Sequence, residues 1–168
     1  IQQPFIAAIL FVALIALWLT PAVHFRAMLD PSLYLFMNAT MVFDGLLFWL
    51  LVLDPRGAPP ARASFAIRAI LAVGVMMPQI AIGAVIAFAR TDLYGFYAWC
   101  GRIFPDIGPL DDQQYGGLII WIPAAMMSVV ALLLVLDAMR RHDEKRDRET
   151  ISNDPNAIAS SAGDWTGR

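Results

Sequence analysis

Apolar and polar positions are grouped along this chain in long blocks, at a spacing that predicts membrane helices and no strands. Ile1 to Val23 carries no charged residue, Ser32 to Leu53 carries only Asp44, and Ala69 to Ala89 and Tyr115 to Leu136 carry none. Each run is about the 20 residues a helix needs to cross roughly 30 Å of hydrocarbon. The spans expected are about 1–20, 32–53, 68–89 and 114–137, forming an all-α polytopic transmembrane bundle. Pro21 closes the first span and Asp30-Pro31-Ser32 opens the second. Leu53-Asp54-Pro55 ends the second, and Pro55 to Pro60 reads as loop. Pro78 should bend the third span, with Gly74 and Gly83 on either side. Asp111 and Asp112 fall where the N-cap of the fourth span belongs. Residues 140–168 read as a charged segment followed by a disordered tail rich in Ser, Asn, Ala and Gly.

Composition agrees with the pattern. Of 168 residues, 59% are hydrophobic and only 15% charged, which is a membrane composition and excludes a conventional soluble enzyme. A membrane β-barrel is excluded because its strands would alternate polar and apolar over about ten residues. A net charge of −2 gives no basic surface for nucleic acid, so the lipid bilayer is the expected environment. The chain begins at Ile1 inside an apolar run with no basic leader, so further helices of a longer chain are expected upstream. Cys100 is the single cysteine and excludes an internal disulfide.

Basic residues orient the spans. Arg56, Arg62 and Arg68 lie between spans two and three, and Arg140, Arg141, Lys145, Arg146 and Arg148 follow span four. Only Arg26, Arg90 and Arg102 occupy the other two loops. This asymmetry puts both ends of the chain, the C-terminus among them, in the cytoplasm and turns residues 21–31 and 90–114 outward. Tyr94, Tyr97, Trp99, Tyr115 and Trp121 would form the outer aromatic belt. The run Arg140 to Glu149 mixes signs at helical spacing and reads as a juxtamembrane helix end, not an anionic-lipid patch. His142 within it reads as solvated.

Few residues offer chemistry. Asp44 lies about 12 positions into its span, on the order of 18 Å from the outer end at about 1.5 Å per residue. A carboxylate at that depth must face the bundle interior and pair, or be protonated. It reads either as a polar clasp between helices, with Asn38 beside it, or as a proton- or metal-handling site. Soft donors cluster near the outer boundary: His24, Met28, Met37 and Met41, with Cys100 on the next outer loop. Thioether, imidazole and thiol together suit a transient Cu(I) site, while the plain alternative is packing. No Gly-rich phosphate loop, Gly-x-Ser-x-Gly or His-Glu-x-x-His occurs, so no catalytic residues are assigned and the chain reads as a non-enzyme.

The segment Asp112-Gln113-Gln114-Tyr115-Gly116-Gly117, followed by Trp121 and Pro123, resembles the Asp-Gln-Gln-x-Gly-Gly-x-x-x-Trp-x-Pro stretch of CtaG-type cytochrome c oxidase assembly factors. Gly45-Leu46-Leu47-Phe48-Trp49, Leu53-Asp54-Pro55-Arg56, Asp92-Leu93-Tyr94, Tyr97 and Cys100-Gly101-Arg102 fit the same family in order and spacing. The resemblance covers roughly residues 20–138. It implies a multi-pass inner-membrane protein that assists haem-copper oxidase assembly, through copper delivery or subunit maturation, with oxidase subunits or precursors as partners. The family's candidate ligand histidines lie in earlier helices and in the helix matching 32–53, which here has Asn38 and Asp44 but no His. In physical terms the Asp112–Gly117 patch reads equally as an interface for a client or as a helix cap with tight packing. The leading expectation is an assembly factor. The alternative is a structural accessory subunit without metal, and a transporting fragment built on Asp44 stands third.

Overall fold

The computed structural model describes residues 3–98 and 106–153. Its elements are α1 (Pro4–Leu19), α2 (Pro21–Leu29), α3 (Pro31–Val52), α4 (Phe65–Phe88), a single 3-10 turn (Gly95–Ala98) and α5 (Pro109–Asn153). The described residues form an all-α bundle with no strand, as the blocks of apolar residues predict. Three helices (α3, α4 and α5) are long and apolar enough to cross a membrane, and the bent pair α1–α2 makes a fourth candidate.

The expected outward loop 21–31 is largely helix. Thr20 takes an extended conformation, φ −63° and ψ 122°, as the residue before a proline prefers. Pro21 then starts α2 with its fixed φ, and the chain turns by 71° between α1 and α2. Asp30 ends this excursion: its carboxylate accepts from the backbone N–H of Ser32 and of Leu33 and caps α3. α4 opens three residues earlier than expected, capped by the Ser64 hydroxyl. α5 opens at Pro109, so Asp111 and Asp112 sit in its first turn instead of at its cap, where their charge still suits the helix dipole. At its far end α5 continues through the charged segment to Asn153.

The most extensive contact is between α4 and α5. Two glycines permit it. A Cβ on Gly117 would lie 2.5 Å from the backbone nitrogen of Ala87, and one on Gly83 would lie 2.6 Å from Cβ of Trp121. The helices therefore touch backbone to backbone, the close approach by which small residues hold membrane helices together. Gly116 faces open space and contributes nothing to this contact.

The main core joins all four spans. Phe11 stacks on Phe48 at 4.6 Å, with Val52, Leu71, Val75, Ala131 and Val135 around them. Beyond it, large side chains such as Leu35, Phe43 and Leu50 on α3 and Ile119, Met126 and Leu133 on α5 are exposed. On a helix bundle of this hydropathy such faces meet lipid or further helices.

At the end where α3 gives way to α4, Arg68 is completely buried. Its guanidinium donates to the carbonyls of Ala63, Asp54 and Arg56 and lies 4.7 Å from the Phe65 ring centroid. One buried fork thus ties down the whole α3–α4 loop.

Candidate functional site

At the opposite end, α2, α5 and the segment after α4 enclose a cleft of about 350 Å³. His24, Tyr94, Tyr97, Asp112, Gln113 and Tyr115 line it. Gln113 organises this end. It is buried, and its amide nitrogen donates to the carbonyls of Ile86 (3.3 Å) and Thr91 (3.2 Å) while its oxygen accepts from the Leu93 N–H at 2.6 Å. One side chain on α5 therefore closes the C-terminal end of α4 and fixes the outgoing chain, groups that would otherwise be orphaned at a helix end. The next residues form a tight turn, with Asp92 accepting from the Tyr94 N–H at 2.9 Å.

Tyr94 reaches across the bundle and donates to the Leu19 carbonyl at 2.6 Å. Burial pushes its phenol above the ordinary value, so the group stays a neutral donor. His24 is held twice. Its Nδ1 lies 3.1 Å from the Trp18 carbonyl and its Nε2 lies 2.8 Å from the Tyr97 hydroxyl. A carbonyl can only accept, so a neutral His24 carries its proton on Nδ1 and takes the Tyr97 O–H at Nε2. Tyr94, Phe96 and Tyr97 surround the ring, with centroids 5.6–6.1 Å away. The two tyrosines, expected in an interfacial belt, bond to His24 and to the end of α1.

The soft donors separate into different surroundings. Met37 is buried with Trp18 and Ala27, and Met28 packs against the same apolar cluster. His24 faces the aromatic residues just described. Met41 is exposed on α3. Cys100 lies outside the described residues. Among the described residues no group of three or more His, Cys, Asp or Glu side chains is placed to hold a metal ion.

Asp44 is half-buried and makes no hydrogen bond or ion pair among the described residues. Asn38 is exposed and donates to the Tyr34 carbonyl of its own helix at 2.9 Å. Of the motif residues, Gln113 and Gly117 are buried, Asp112 and Pro123 are exposed, and Gln114 and Gly116 are half-buried. Trp121 packs edge-on against Phe88 at 6.0 Å. The Asp112–Gly117 patch divides between two surroundings. Gln113 and Gly117 cap and pack, while Asp112, Tyr115 and Gly116 line the open cleft.

A bundle of apolar helices, closed at one end by neutral hydrogen bonds around a cleft, defines an all-α protein built for a membrane. The sequence model of the cytochrome c oxidase caa3 assembly factor family (Caa3_CtaG) matches residues 1–142, and the chain belongs to that family. No curated protein and no solved structure matches it.

Proposed function

We propose that this chain is an integral membrane assembly factor for a haem-copper cytochrome c oxidase, and that it engages an oxidase subunit or precursor through the cleft between His24 and Gln113. The convergence of the Asp112–Gly117 stretch with His24, Tyr94 and Tyr97 carries the reading. Residues from α2, from the segment after α4 and from α5 meet there, and the exposed carboxylate of Asp112 beside the Tyr115 ring offers a client both charge and aromatic surface. Such a site acts by binding and release. The distribution of Lys and Arg supports a plasma-membrane topology with the C-terminus in the cytoplasm and this cleft outside.

Copper delivery is the finer form of the same reading, with Cu(I) as cargo. The donors it would use are His24, Met28, Met37 and Met41, together with Cys100, which lies outside the described residues. His24 becomes a ligand only when the Tyr97 hydroxyl leaves Nε2, which makes the site weak and reversible, as transfer requires. The engagement of both His24 nitrogens equally favours the second reading, a metal-free structural subunit.

Purification of the native protein from membranes separates these readings. Association with oxidase precursors but not with the mature complex supports assembly, and stoichiometric retention in the mature complex supports the subunit. Asp112→Ala combined with Tyr115→Ala alters only exposed side chains, and mature oxidase should fall several-fold while the protein's own abundance holds. Copper analysis of the same preparation under reducing conditions completes the test. Cu(I) uptake above that of a variant lacking His24, Met28 and Cys100 supports delivery, and equal uptake leaves a scaffold.

A further inference from the structure

The other end of the bundle carries a second cleft, of about 800 Å³, between the α3–α4 loop and α5. Its floor is apolar: Leu53, Leu134 and Val135. Its rim is cationic: Arg56 from the loop, Arg141 and Lys145 from α5. These levels coincide with the edges of the apolar runs. α3 ends at Val52, and Asp137 is the first charged residue of α5 after the run from Tyr115 to Leu136. The floor therefore lies at hydrocarbon depth and the rim at headgroup depth.

The rim keeps a positive excess after its own ion pairs are counted. Asp54 takes Arg56 at 2.8 Å and Asp137 takes Arg141 at 2.6 Å, while Lys145 has no ion pair among the described residues. Arg56 and Arg141 remain largely exposed, at 65% and 73% of their side chains, so each fork keeps donors free for a second anion. The cleft is also preformed. A Cβ on Gly57 would lie 2.5 Å from Nε2 of His142, so the loop backbone is seated directly on that ring. The His142 ring in turn packs on Phe65 at 5.6 Å. Arg68 holds the same loop from beneath through the carbonyls of Asp54 and Arg56.

We propose that this cleft binds an anionic phospholipid, its phosphate among Arg56, Arg141 and Lys145 and its glycerol and upper acyl carbons on Leu53, Leu134 and Val135. A cationic rim over an apolar floor at the membrane boundary matches a molecule with that same division, whereas a free phosphate would leave the floor unused.

Native mass spectrometry of the full chain, released from detergent after equilibration with dioleoylphosphatidylglycerol or dioleoylphosphatidylcholine, tests this. Phosphatidylglycerol should be retained about ten-fold better, since each basic group near an anionic lipid contributes roughly five-fold in affinity and the rim is partly neutralised. R141Q combined with K145Q should bring that ratio close to one. R146Q combined with R148Q removes the same charge from the same helix away from the cleft and should leave the ratio unchanged. Equal retention of the two lipids by the unaltered protein would overturn the proposal. So would an equal loss in the R146Q and R148Q variant, which would mean general surface charge. Displacement of phosphatidylglycerol by millimolar inorganic phosphate would reassign the cleft to a free anion.

Discussion

Where α2 meets the start of α5, the closures that reach across the bundle among the described residues are neutral, and the carboxylate of Asp92 serves only a local turn: an amide bridges two carbonyls and an N–H, and a phenol and an imidazole each take a backbone carbonyl. Where α3 passes into α4, the closure is a buried guanidinium on three carbonyls with exposed ion pairs around it. Neutral groups cost little to bring out of water, and their lone pairs can be exchanged for a partner's. A buried charge costs several kcal/mol to desolvate, so it persists only where its donors are well matched. One end is thus easier to open than the other, and this contrast supports proposing a client site at the first and a bound lipid at the second.

The largest effect should come from the buried charge. Arg68→Leu would leave the carbonyls of Ala63, Asp54 and Arg56 without their donor, the first of them buried and the other two partly so. At about 1–3 kcal/mol for each orphaned group, softened by relaxation of the loop, the loss should be roughly 3–5 kcal/mol. Gln113→Ala at the neutral end should cost less, about 1–3 kcal/mol, because the freed groups lie beside an open cleft that water can enter. Thermal unfolding in detergent compares the two directly. If Gln113→Ala proved the more damaging, the contrast between a fixed end and an exchangeable end would be lost.

The two adjacent glycines of the motif give a narrower contrast. Gly117→Ala places a methyl 2.5 Å from the Ala87 nitrogen, against backbone that cannot swing away, and should cost about 1–3 kcal/mol by forcing α4 and α5 apart. Gly116→Ala meets nothing within 4 Å and should be neutral, or stabilising by up to about 1 kcal/mol through better helix propensity. Equal melting temperatures for the two variants would show that α5 does not press on α4 at this register.

The helices were legible because each rests on a local signal. Apolar run length marks the spans, and Asp30, Pro31 and Asp54 mark the boundaries of α3. Where a boundary moved, a neighbouring signal won: Pro21 reads as a stop for α1 but starts α2 after a bend, and Pro109 opens α5 ahead of Asp111. The family was legible from one dense stretch, Asp112 to Pro123. What a single sequence could not carry was which residues meet across the bundle. Arg68 counts as one more basic residue for topology until the fold buries it. Nothing in the spacing of Tyr94 and Tyr97 says that α2 brings His24 between them. The charge run from Arg140 mixes signs and looks inert by itself, and only Arg56, arriving from 85 positions earlier than Arg141, makes it one wall of a cationic cleft.

The smallest effect expected is an acid response confined to the charged end. The Arg56 guanidinium beside Asp54 holds that carboxyl down to about 2, from an ordinary value of 3.8. Because the folded value lies below the unfolded one, the pair stabilises the loop fully above about pH 4. That contribution is lost as the pH falls from there towards 2. Arg56 is mostly exposed, so solvent and salt screen the pair and keep the contribution small. Asp54→Asn isolates it, since other carboxylates titrate alike in both proteins. The melting temperatures of the two should differ by a constant amount from pH 7 to 5 and converge below pH 4. Addition of salt at pH 7 should narrow the gap in the same direction. Asp54 also accepts from the Arg56 backbone N–H at 3.0 Å, and a gap that persisted at pH 2 would assign the effect of Asp54→Asn to that bond, leaving the ion pair no part in holding this end closed.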